Sequence, residues 1–543
     1  MPDVAADSVP ARIQIALPQA EVAPLPAQLP DDLNALKALL RTQQEAHQQA
    51  MAELHAQAQQ HIAFLYEQFA LFRHRMFGSS SEALANQHRL FDEAEVLASQ
   101  DDAQDDDANA AEETAEPVSA QKKPKGRGKR APLPPELPRL DIVHEVPEAE
   151  RVCACGTPMV VIGQEVSEQL DIVPMKVQVL RHIRLKYGCP NGDEAPTTAP
   201  MPVQPLPRSN ASPELLAMLL TVKYADGLPL ARFQKVLQRY GADVPRQTLA
   251  RWAIDSAQLM QPLLNLARDR LFDFPVMHMD ETVVQVLKEP GRQAQAKSYM
   301  WVQTGGPPER PVVIFDYDPS RGAHVPQNLL ADYRGWLMTD GYGGYDKAVK
   351  TEGLMHLGCW AHVRRKLVDA QRVQGKGKTG RADQALAMIG ELYKVERDAQ
   401  GLTNEKRLAL RTKRSVPLLK KLHEWLLANH DTVLPSSVLG KALRYMATMW
   451  PRLEHYATRG DLPIDNNRAE NAIRPFVVGR KAWLFSATQA GAKASALVYS
   501  LIETAKANGV EPYAWLAHVM RTIPTAHTVD DYEALMPWNF HPA

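Results

Sequence analysis

Cysteine is scarce in this chain, long hydrophobic runs are missing, and neither sign of charge is in excess. Four cysteines occur among 543 residues, too few for a disulfide scaffold and consistent with a reducing compartment. No stretch approaches the roughly 18 apolar residues of a membrane span, and the chain's start lacks the basic and apolar regions of a secretory signal. We therefore expect a cytoplasmic protein with no membrane partner.

The balance of charge limits what composition says about partners. The formal net charge is -1 at pH 7, so any affinity for nucleic acid must come from local basic surface. The length predicts about three to four domains on a prior of about 150 residues each, and a hydrophobic content of 45% is enough to bury sizeable cores. We expect a multidomain globular protein.

Two aspartates are associated with short apolar runs. Asp280 lies in a run rich in Met and Val, which favours a largely buried strand over an amphipathic helix. Because side chains alternate along a strand, His278 and Thr282 are expected on the same face as Asp280. Asp340 follows the apolar residues 336–339 and precedes glycines that permit a sharp turn. Both carboxylates are therefore predicted to project from strands.

A glutamate in a third segment is predicted to lie on a helix. Pro463 and a run of Asp and Asn precede a helix-like segment. One face of that helix would carry Asn467, Glu470, Asn471 and Arg474. Pro475 lacks an amide hydrogen and crowds the preceding turn, so we expect a short helix that ends or kinks there.

Two aspartates and a glutamate are a ligand set suited to hard cations. They could hold two Mg²⁺ or Mn²⁺ ions about 3.5 to 4 Å apart, as in two-metal phosphoryl transfer. The chain has 63 acidic residues, and most Asp before Gly or Asn are turn residues or helix caps, which is the alternative interpretation. The other acidic residues considered for the site are Glu281, Asp346 and Asp465.

These three segments resemble the insertion-sequence sixty-six family of bacterial transposases. The similarity lies in residues 278–282, 339–345 and 465–474, and extends to residues 359–366 and 499–509. The resemblance implies a ribonuclease-H-like fold and a catalytic, metal-binding triad of Asp280, Asp340 and Glu470. It also implies DNA partners, self-association, and accessory proteins encoded by the same element.

Cys153, Cys155 and Cys189 resemble the small zinc-binding module of that family, in degraded form. They flank two strand-like runs, at residues 164–173 and 177–187. The first pair has a single intervening residue, and Cys189 lacks a partner, so a tetrahedral site would lack its fourth ligand. Bound Zn²⁺ and a metal-free β module both remain open.

Apolar residues from Leu33 to Met76 recur at coiled-coil spacing, with a one-residue shift in register. The resemblance favours self-association through this helix, as a homodimer or higher oligomer. The alternative is an amphipathic helix packed on its own protein.

We predict a multidomain α/β protein with seven segments. They are a disordered start (1–30), a coiled-coil helix (31–97), an acidic-then-basic disordered linker (98–140), a small β zinc-finger-like module (141–207), a helical helix-turn-helix-like domain (208–271), a ribonuclease-H-like α/β catalytic domain (272–500) with a helical insertion (370–455), and a C-terminal helical element (501–543). Residues 240–252 supply the helix-turn-helix pattern, with Leu249 and Trp252 expected in its core; a three-helix bundle without DNA contact is the alternative.

Candidates for DNA contact are basic and polar residues in four segments. They are Lys122, Lys123, Lys125, Arg127, Lys129 and Arg130 in the linker; Arg246, Gln247 and Arg251 in the helix-turn-helix; His362, Arg364, Arg365 and Lys366 after the second strand; and Asn467, Asn471, Arg474, Arg480 and Lys481 around Glu470. A further basic series in the insertion comprises Lys406, Arg407, Arg411, Lys413, Arg414, Lys420 and Lys421. Most such charges are solvated faces.

The resulting hypothesis is a DNA transposase that binds terminal inverted repeats and catalyses metal-dependent cleavage and strand transfer into target DNA. One alternative is a DNA-binding repressor or relic with an idle catalytic fold. Another is a ribonuclease-H-like nuclease that only hydrolyses DNA. Both hydrolysis and strand transfer use the same metals, and the resemblance alone favours transfer.

Overall fold

The computed structural model describes residues 32–77, 175–187, 197–373 and 380–542. The three cysteines of the zinc-finger-like module and the basic residues of the linker lie outside these ranges. Residues 1–80 and 181–543 form one unit and residues 81–180 a second. Within the described residues, no helix is long and apolar enough to cross a membrane.

The N-terminal helix α1 (Leu33–Phe77) is 45 residues long, as the apolar spacing predicts. Near its C-terminal end one face packs on its own protein: Glu67 accepts a hydrogen bond from the backbone N–H of Val438 at 3.1 Å, and Leu71 packs against Val438 and two alanines. The apolar residues at coiled-coil spacing form the predicted seam of α1. Two of them, Phe69 and Phe72, are 64% and 59% exposed. The helix therefore packs intramolecularly through a different face, and self-association through the seam stays a prediction.

The short strands β1 (Lys186–Tyr187) and β2 (Thr197–Thr198) form an antiparallel pair. The prediction of a strand across residues 177–187 was wrong for most of its length, because residues 175–185 form no helix or strand. Val179 is 87% exposed and Ile183 75% exposed. The run has the apolar composition of a strand, but residues 175–185 are not part of any β-sheet among the described residues.

Helices precede the large sheet. They are α2 (Pro213–Leu220), which continues as a π-helix (Thr221–Ala225), α3 (Leu230–Arg239), α4 (Arg246–Leu259) and α5 (Gln261–Phe272). Ser212 caps α2 by accepting a hydrogen bond from the N–H of Leu215. In α4, Leu249 and Trp252 are buried and Arg246 and Arg251 are exposed, the division predicted from sequence.

A six-stranded mixed sheet follows, with two small helices between its strands. Its elements are β3 (Val276–Lys288), β4 (Lys297–Gly305), β5 (Val312–Asp318), α6 (His324–Leu329), β6 (Trp336–Thr339), α7 (Tyr345–Glu352), β7 (Met355–Gly358) and, later in the chain, β8 (Ser486–Thr488). The main order is β5-β4-β3-β6-β7, and β8 pairs with the far end of β3. The first three strands are antiparallel, and β6 and β7 run parallel to β3.

The remaining helices are α8 (Trp360–Arg372), α9 (Arg381–Asp398), α10 (Asn404–His430), α11 (Val438–Leu453), α12 (Asn467–Trp483), α13 (Gln489–Ala507), α14 (Pro512–Thr522) and α15 (Val529–Ala534). Helices α9 to α11 lie where the sequence predicts a helical insertion. They pack with α8, β6 and β7 around Trp360 and Trp450 in one apolar cluster. The predicted boundary at residue 500 falls inside α13.

Helix α13 covers the free edge of the sheet. Ser500 accepts a hydrogen bond from the N–H of Phe315 at 2.7 Å, and Thr504 both accepts from the N–H of Val313 and donates to its carbonyl. An exposed edge strand offers unpaired backbone groups to other chains. These hydroxyls provide hydrogen-bond partners for backbone groups at the edge of β5.

One predicted DNA contact in the insertion was wrong. Arg411 on α10 is 1% exposed and forms a two-bond ion pair with Glu396 on α9. It also donates to the backbone carbonyls of Tyr456, Arg459 and Leu462. Arg411 is a structural residue, which the spacing of basic residues along a helix does not reveal.

Candidate functional site

Asp280 lies in the central strand of the sheet, where two neighbouring strands fix its position. It is opposite Val302 in the antiparallel ladder with β4. In the parallel ladder, His278 of β3 is level with Met338 of β6. Continuing that register by two residues brings Asp340 level with Asp280, because both strands advance at the same rise per residue.

Asp340 is the first residue after β6, and a turn holds its side chain. Its Oδ1 accepts a hydrogen bond from the backbone N–H of Tyr342 at 2.8 Å. Gly341 has a φ of 89°, and a Cβ there would lie 2.8 Å from Cε of Met449. The positive φ favours glycine, because other side chains are strained there. The predicted sharp turn is therefore present directly after the strand.

The segment before α12 joins three parts of the site through Asn466, which is fully buried. Its side-chain amide donates to the carbonyl of Met279 at 2.8 Å, and its Oδ1 lies 3.1 Å from Nδ1 of His278. Its backbone N–H donates to Sγ of Cys359 at 3.2 Å. Asn466 thereby links β3, the start of α8 and the start of α12, a positioning role that the sequence analysis did not assign.

Helix α12 brings Glu470 to the site in its first turn. The sequence predicts that the helix ends or kinks at Pro475; it does not end there, because it continues to Trp483, and a kink stays a prediction. Pro475 costs one backbone hydrogen bond, but Phe476 and Gly479 beyond it are buried. Packing of this second half against the sheet and α13 outweighs the local cost.

The acidic residues are close enough to affect one another's ionisation. The pKa of Asp280 is raised to about 7, first by burial and also by the negative charges of Glu281, Asp340 and Glu470, against a backbone hydrogen bond that lowers it. Like charges oppose ionisation of a neighbouring carboxyl only over short distances. The structure thus gathers the three sequence-predicted acids from β3, β6 and α12 at one place.

Glu470 is held by two basic side chains of α8. One carboxylate oxygen, Oε2, accepts a hydrogen bond from Arg365 at 3.0 Å. The other, Oε1, lies 3.6 Å from Nδ1 of His362. Oε1 of Glu470 and Nδ1 of His362 are both buried and have no hydrogen-bond partner. Buried polar atoms are rarely left unsatisfied, so this oxygen is available to a ligand.

The three carboxylates fit a hard divalent cation by donor type. Mg²⁺ and Mn²⁺ prefer oxygen ligands, and the unpartnered Oε1 of Glu470 and the mutual repulsion at Asp280 are both relieved by a cation. The oxygens of the three acids do not all lie within 4.8 Å of one another; among the described residues, the set that meets this spacing is Cys359, His362 and Glu470.

The thiol in that second set is poorly suited to bind metal as it stands. Burial raises the pKa of Cys359 to about 12, so the thiol stays protonated, and its Sγ accepts a hydrogen bond from Asn466. Nε2 of His362 lies 3.3 Å from Nη1 of Arg365; because a guanidinium only donates, that ring nitrogen accepts. Cys359 is a core residue.

The other acidic residues considered for the site have protein partners. Glu281 pairs with Arg321 at 2.6 Å and accepts a hydrogen bond from Tyr345. Asp465 caps α12 by accepting from the N–H of Asn467, and also accepts from Tyr393. Asp346 pairs with Arg452 at 2.7 Å. These contacts explain the three carboxylates without a metal.

Other residues predicted to contact DNA lie on helices α4, α8 and α12. Arg246, Gln247 and Arg251 are exposed on α4, and Arg364, Arg365 and Lys366 are exposed on α8. On α12, Asn471, Arg474 and Lys481 are exposed and Asn467 is half-buried. Arg480 is also half-buried, and donates to Thr282 at 3.1 Å. His278 and Thr282 thus both contact the α12 segment, as expected for one face of β3.

Stability should depend on pH through Asp280. Since its pKa is raised in the folded state, the folded protein binds more protons than the unfolded chain between about pH 4 and pH 7, and stability falls as pH rises through that window. We expect Asp280→Asn to stabilise the metal-free protein by about 2 kcal/mol more at pH 8 than at pH 5. Urea unfolding in EDTA measures this. Asp431→Asn, at a side chain 90% exposed, is the control; an equal effect in both variants would contradict the prediction.

Four family models match successive parts of the chain. The model described as Transposase IS66 family matches residues 208–494, and the IS66 C-terminal element matches residues 500–538. The zinc-finger binding domain of transposase IS66 matches residues 150–191. Residues 65–142 match a model described as Transposase C of IS166 homeodomain.

Proteins of Sinorhizobium fredii are similar over most of the chain. The protein y4qI is 31% identical over 550 residues, covering 95% of this chain and 98% of its own length. The protein y4jD is 32% identical over 424 residues, covering 75% of this chain and 81% of its own length. Both are described as uncharacterized. With the IS66 model covering more than half of the sequence, the chain belongs to the IS66 family of transposases.

Proposed function

We propose that this protein cleaves DNA at the terminal inverted repeats of its element and joins the ends to target DNA, using Asp280, Asp340 and Glu470 to hold two Mg²⁺ or Mn²⁺ ions. The observation that carries the proposal is the convergence of these acids from β3, β6 and α12 within electrostatic range. Family membership supports transposition as the outcome of that chemistry.

The sheet supports a ribonuclease-H-like assignment for the catalytic domain. Three antiparallel strands lead into two parallel strands, in the order β5-β4-β3-β6-β7. Asp280 is on the central strand and Asp340 ends the next one, so the sheet itself sets their spacing. Helix α12 then adds Glu470 from outside the sheet.

The acids and their basic neighbours divide the work. When bound, a pair of divalent cations activates the attacking oxygen and stabilises the leaving oxygen. Asp280 and Asp340, fixed by strand register and by the Gly341 turn, orient their carboxylates with little reorganisation. The exposed cations of α8, Arg364 and Lys366, offer positive charge to the DNA backbone.

The experiment incubates the purified protein with labelled DNA carrying the inverted repeats that flank its coding sequence, with Mg²⁺ or with EDTA. Metal-dependent nicks together with joined products support the proposal. Nicks without joined products indicate a nuclease. Binding of the ends without nicks, with the element's accessory proteins added, indicates a repressor or an idle relic.

End binding is expected to involve α4. Arg246→Ala with Arg251→Ala removes two exposed charges of the helix-turn-helix and should reduce the salt dependence of binding by about 1.8 in the slope of log K against log salt. Fluorescence anisotropy across a salt series measures the slope. Lys394→Ala removes an exposed charge from α9 and should leave the slope unchanged; a slope unaffected by the double variant would remove α4 from the interface.

The exposed seam of α1 supports a homodimer or higher oligomer that brings two DNA ends together. Its apolar residues repeat on a face that is largely exposed among the described residues, the arrangement that coiled coils bury. A variant that lacks residues 1–77 tests this, because light scattering compares its oligomeric state with that of the full chain.

A further inference from the structure

Arg365 occupies the position at Glu470 where a cation would be expected. Its Nη2 donates to Oε2 of Glu470 at 3.0 Å, and its Nη1 lies 3.3 Å from Nε2 of His362. One guanidinium thus bridges both polar groups that face the site from α8 and α12. The side chain is 49% exposed, so it is also accessible to a group arriving from solvent.

In this structure Glu470 is bonded to Arg365 and does not share a metal-sized space with both aspartates. The oxygens of Asp280, Asp340 and Glu470 do not share one 4.8 Å sphere, whereas Glu470 meets that limit with donors of α8. Glu470 keeps Oε1 buried and unpartnered while Oε2 is bonded to Arg365. For Glu470 to hold a metal together with Asp280 and Asp340, its side chain would have to turn from Arg365 toward the sheet.

We propose that Arg365 is a positioning residue that couples metal loading to DNA binding: it retains Glu470 in the free protein and releases it when a DNA phosphate takes the guanidinium. This inference rests on the proposed function. The exchange replaces one charge-assisted pair, Arg365 with carboxylate, by another, Arg365 with phosphate, for which a planar guanidinium is well matched. No covalent step is involved.

Neighbouring residues favour such an exchange over a fixed structural bridge. The Arg365–Glu470 pair is partly exposed, with Glu470 at 26%, and exposed ion pairs are weak. By contrast, the guanidinium of Arg411, which pairs with Glu396, is only 1% exposed. A weak pair at a site entrance is suited to being broken by a ligand.

Linkage makes the proposal quantitative. If DNA binding removes Arg365 from Glu470, DNA must raise the affinity for a divalent cation, and the cation must raise the affinity for DNA by the same factor. Removing Arg365 should give the DNA-free protein the cation affinity that wild type reaches only with DNA. It should also abolish most of the coupling between DNA binding and cation binding.

The experiment measures Mn²⁺ binding by electron paramagnetic resonance, with Ca²⁺-free protein and without any cleavage readout. Arg365→Met should bind Mn²⁺ about fivefold more tightly than wild type in the absence of DNA. Lys394→Met is the control: it removes the same charge at an exposed side chain of α9 and should shift the affinity less.

A short DNA duplex is then added to each protein at low salt. Wild type and Lys394→Met should gain Mn²⁺ affinity with DNA, and Arg365→Met should gain little. Equal Mn²⁺ affinities of wild type and Arg365→Met, or undiminished coupling in Arg365→Met, would overturn the proposal. Asp280→Asn distinguishes failure of the Arg365 proposal from failure of the proposed function. If this variant leaves Mn²⁺ binding intact, the three-acid metal site is wrong, and with it the proposed function.

Discussion

Asp280→Asn and Glu470→Gln are each expected to reduce DNA cleavage and strand transfer by at least about 10³-fold, because each removes a charged oxygen ligand where phosphoryl charge develops. Both substitutions keep the shape of the side chain. Asp280 is in the central strand, where neutralising a carboxyl whose pKa is already raised to about 7 should not unfold the protein. Cleavage and joining of labelled element ends, each quantified by gel, measure the loss.

Asp346→Asn is the matched control for this prediction. Asp346 lies close in sequence to Asp340 and is acidic, but it pairs with Arg452, so its replacement should change activity only a few-fold. Asp280→Asn should keep wild-type affinity for the ends within about tenfold, since phosphate contacts dominate DNA affinity. Activity retained in Asp280→Asn, or lost equally in Asp346→Asn, would contradict the assignment of the triad.

The local parts of the site could be predicted from sequence because they depend on short-range rules. The strand ending at Thr339, the turn that follows it and the strand around Asp280 are all present. Each follows from an apolar run, alternation of side chains or the conformational range of glycine. The predicted core positions of α4 are likewise set by helical periodicity within the one segment.

Contacts across long stretches of chain could not be predicted in this way. Asn466 connects β3 with α8, and an Asn before a helix normally indicates only a cap. Pro475 lies inside α12 because tertiary packing outweighs a local rule. The face of α1 that packs on Val438 differs from its apolar seam, and heptad spacing carries no information about such a contact.

Arg411 is the clearest case of a residue whose role depends on burial. From sequence it belongs to a basic series on α10, and in the structure it is enclosed between α9, α10 and the segment before α12. Its guanidinium satisfies Glu396 and three backbone carbonyls. A basic residue with so many internal acceptors ties the helical insertion to residues 456–462, which lead into the segment that carries Asp465 and Glu470.

Arg411→Met is therefore expected to lower the free energy of unfolding by about 3 to 5 kcal/mol, because it leaves the carboxylate of Glu396 and three carbonyls without their donor. Urea unfolding followed by the fluorescence of Trp425 and Trp450 measures the loss in the same cluster of helices. Adding Glu396→Gln should recover part of the stability, since the largest cost is the unpaired charge rather than the lost contact.

Arg414→Met is the control on the same helix. Arg414 pairs with Asp398, but the two side chains are 36% and 46% exposed, and such surface pairs contribute about 0 to 1 kcal/mol. The two arginines are three residues apart and each pairs with a carboxylate of α9, so the difference between the variants measures what burial and the three carbonyl bonds of Arg411 add to an ion pair. Similar losses in both would mean that charge along α10, and not the enclosed guanidinium, holds the insertion to the rest of the protein.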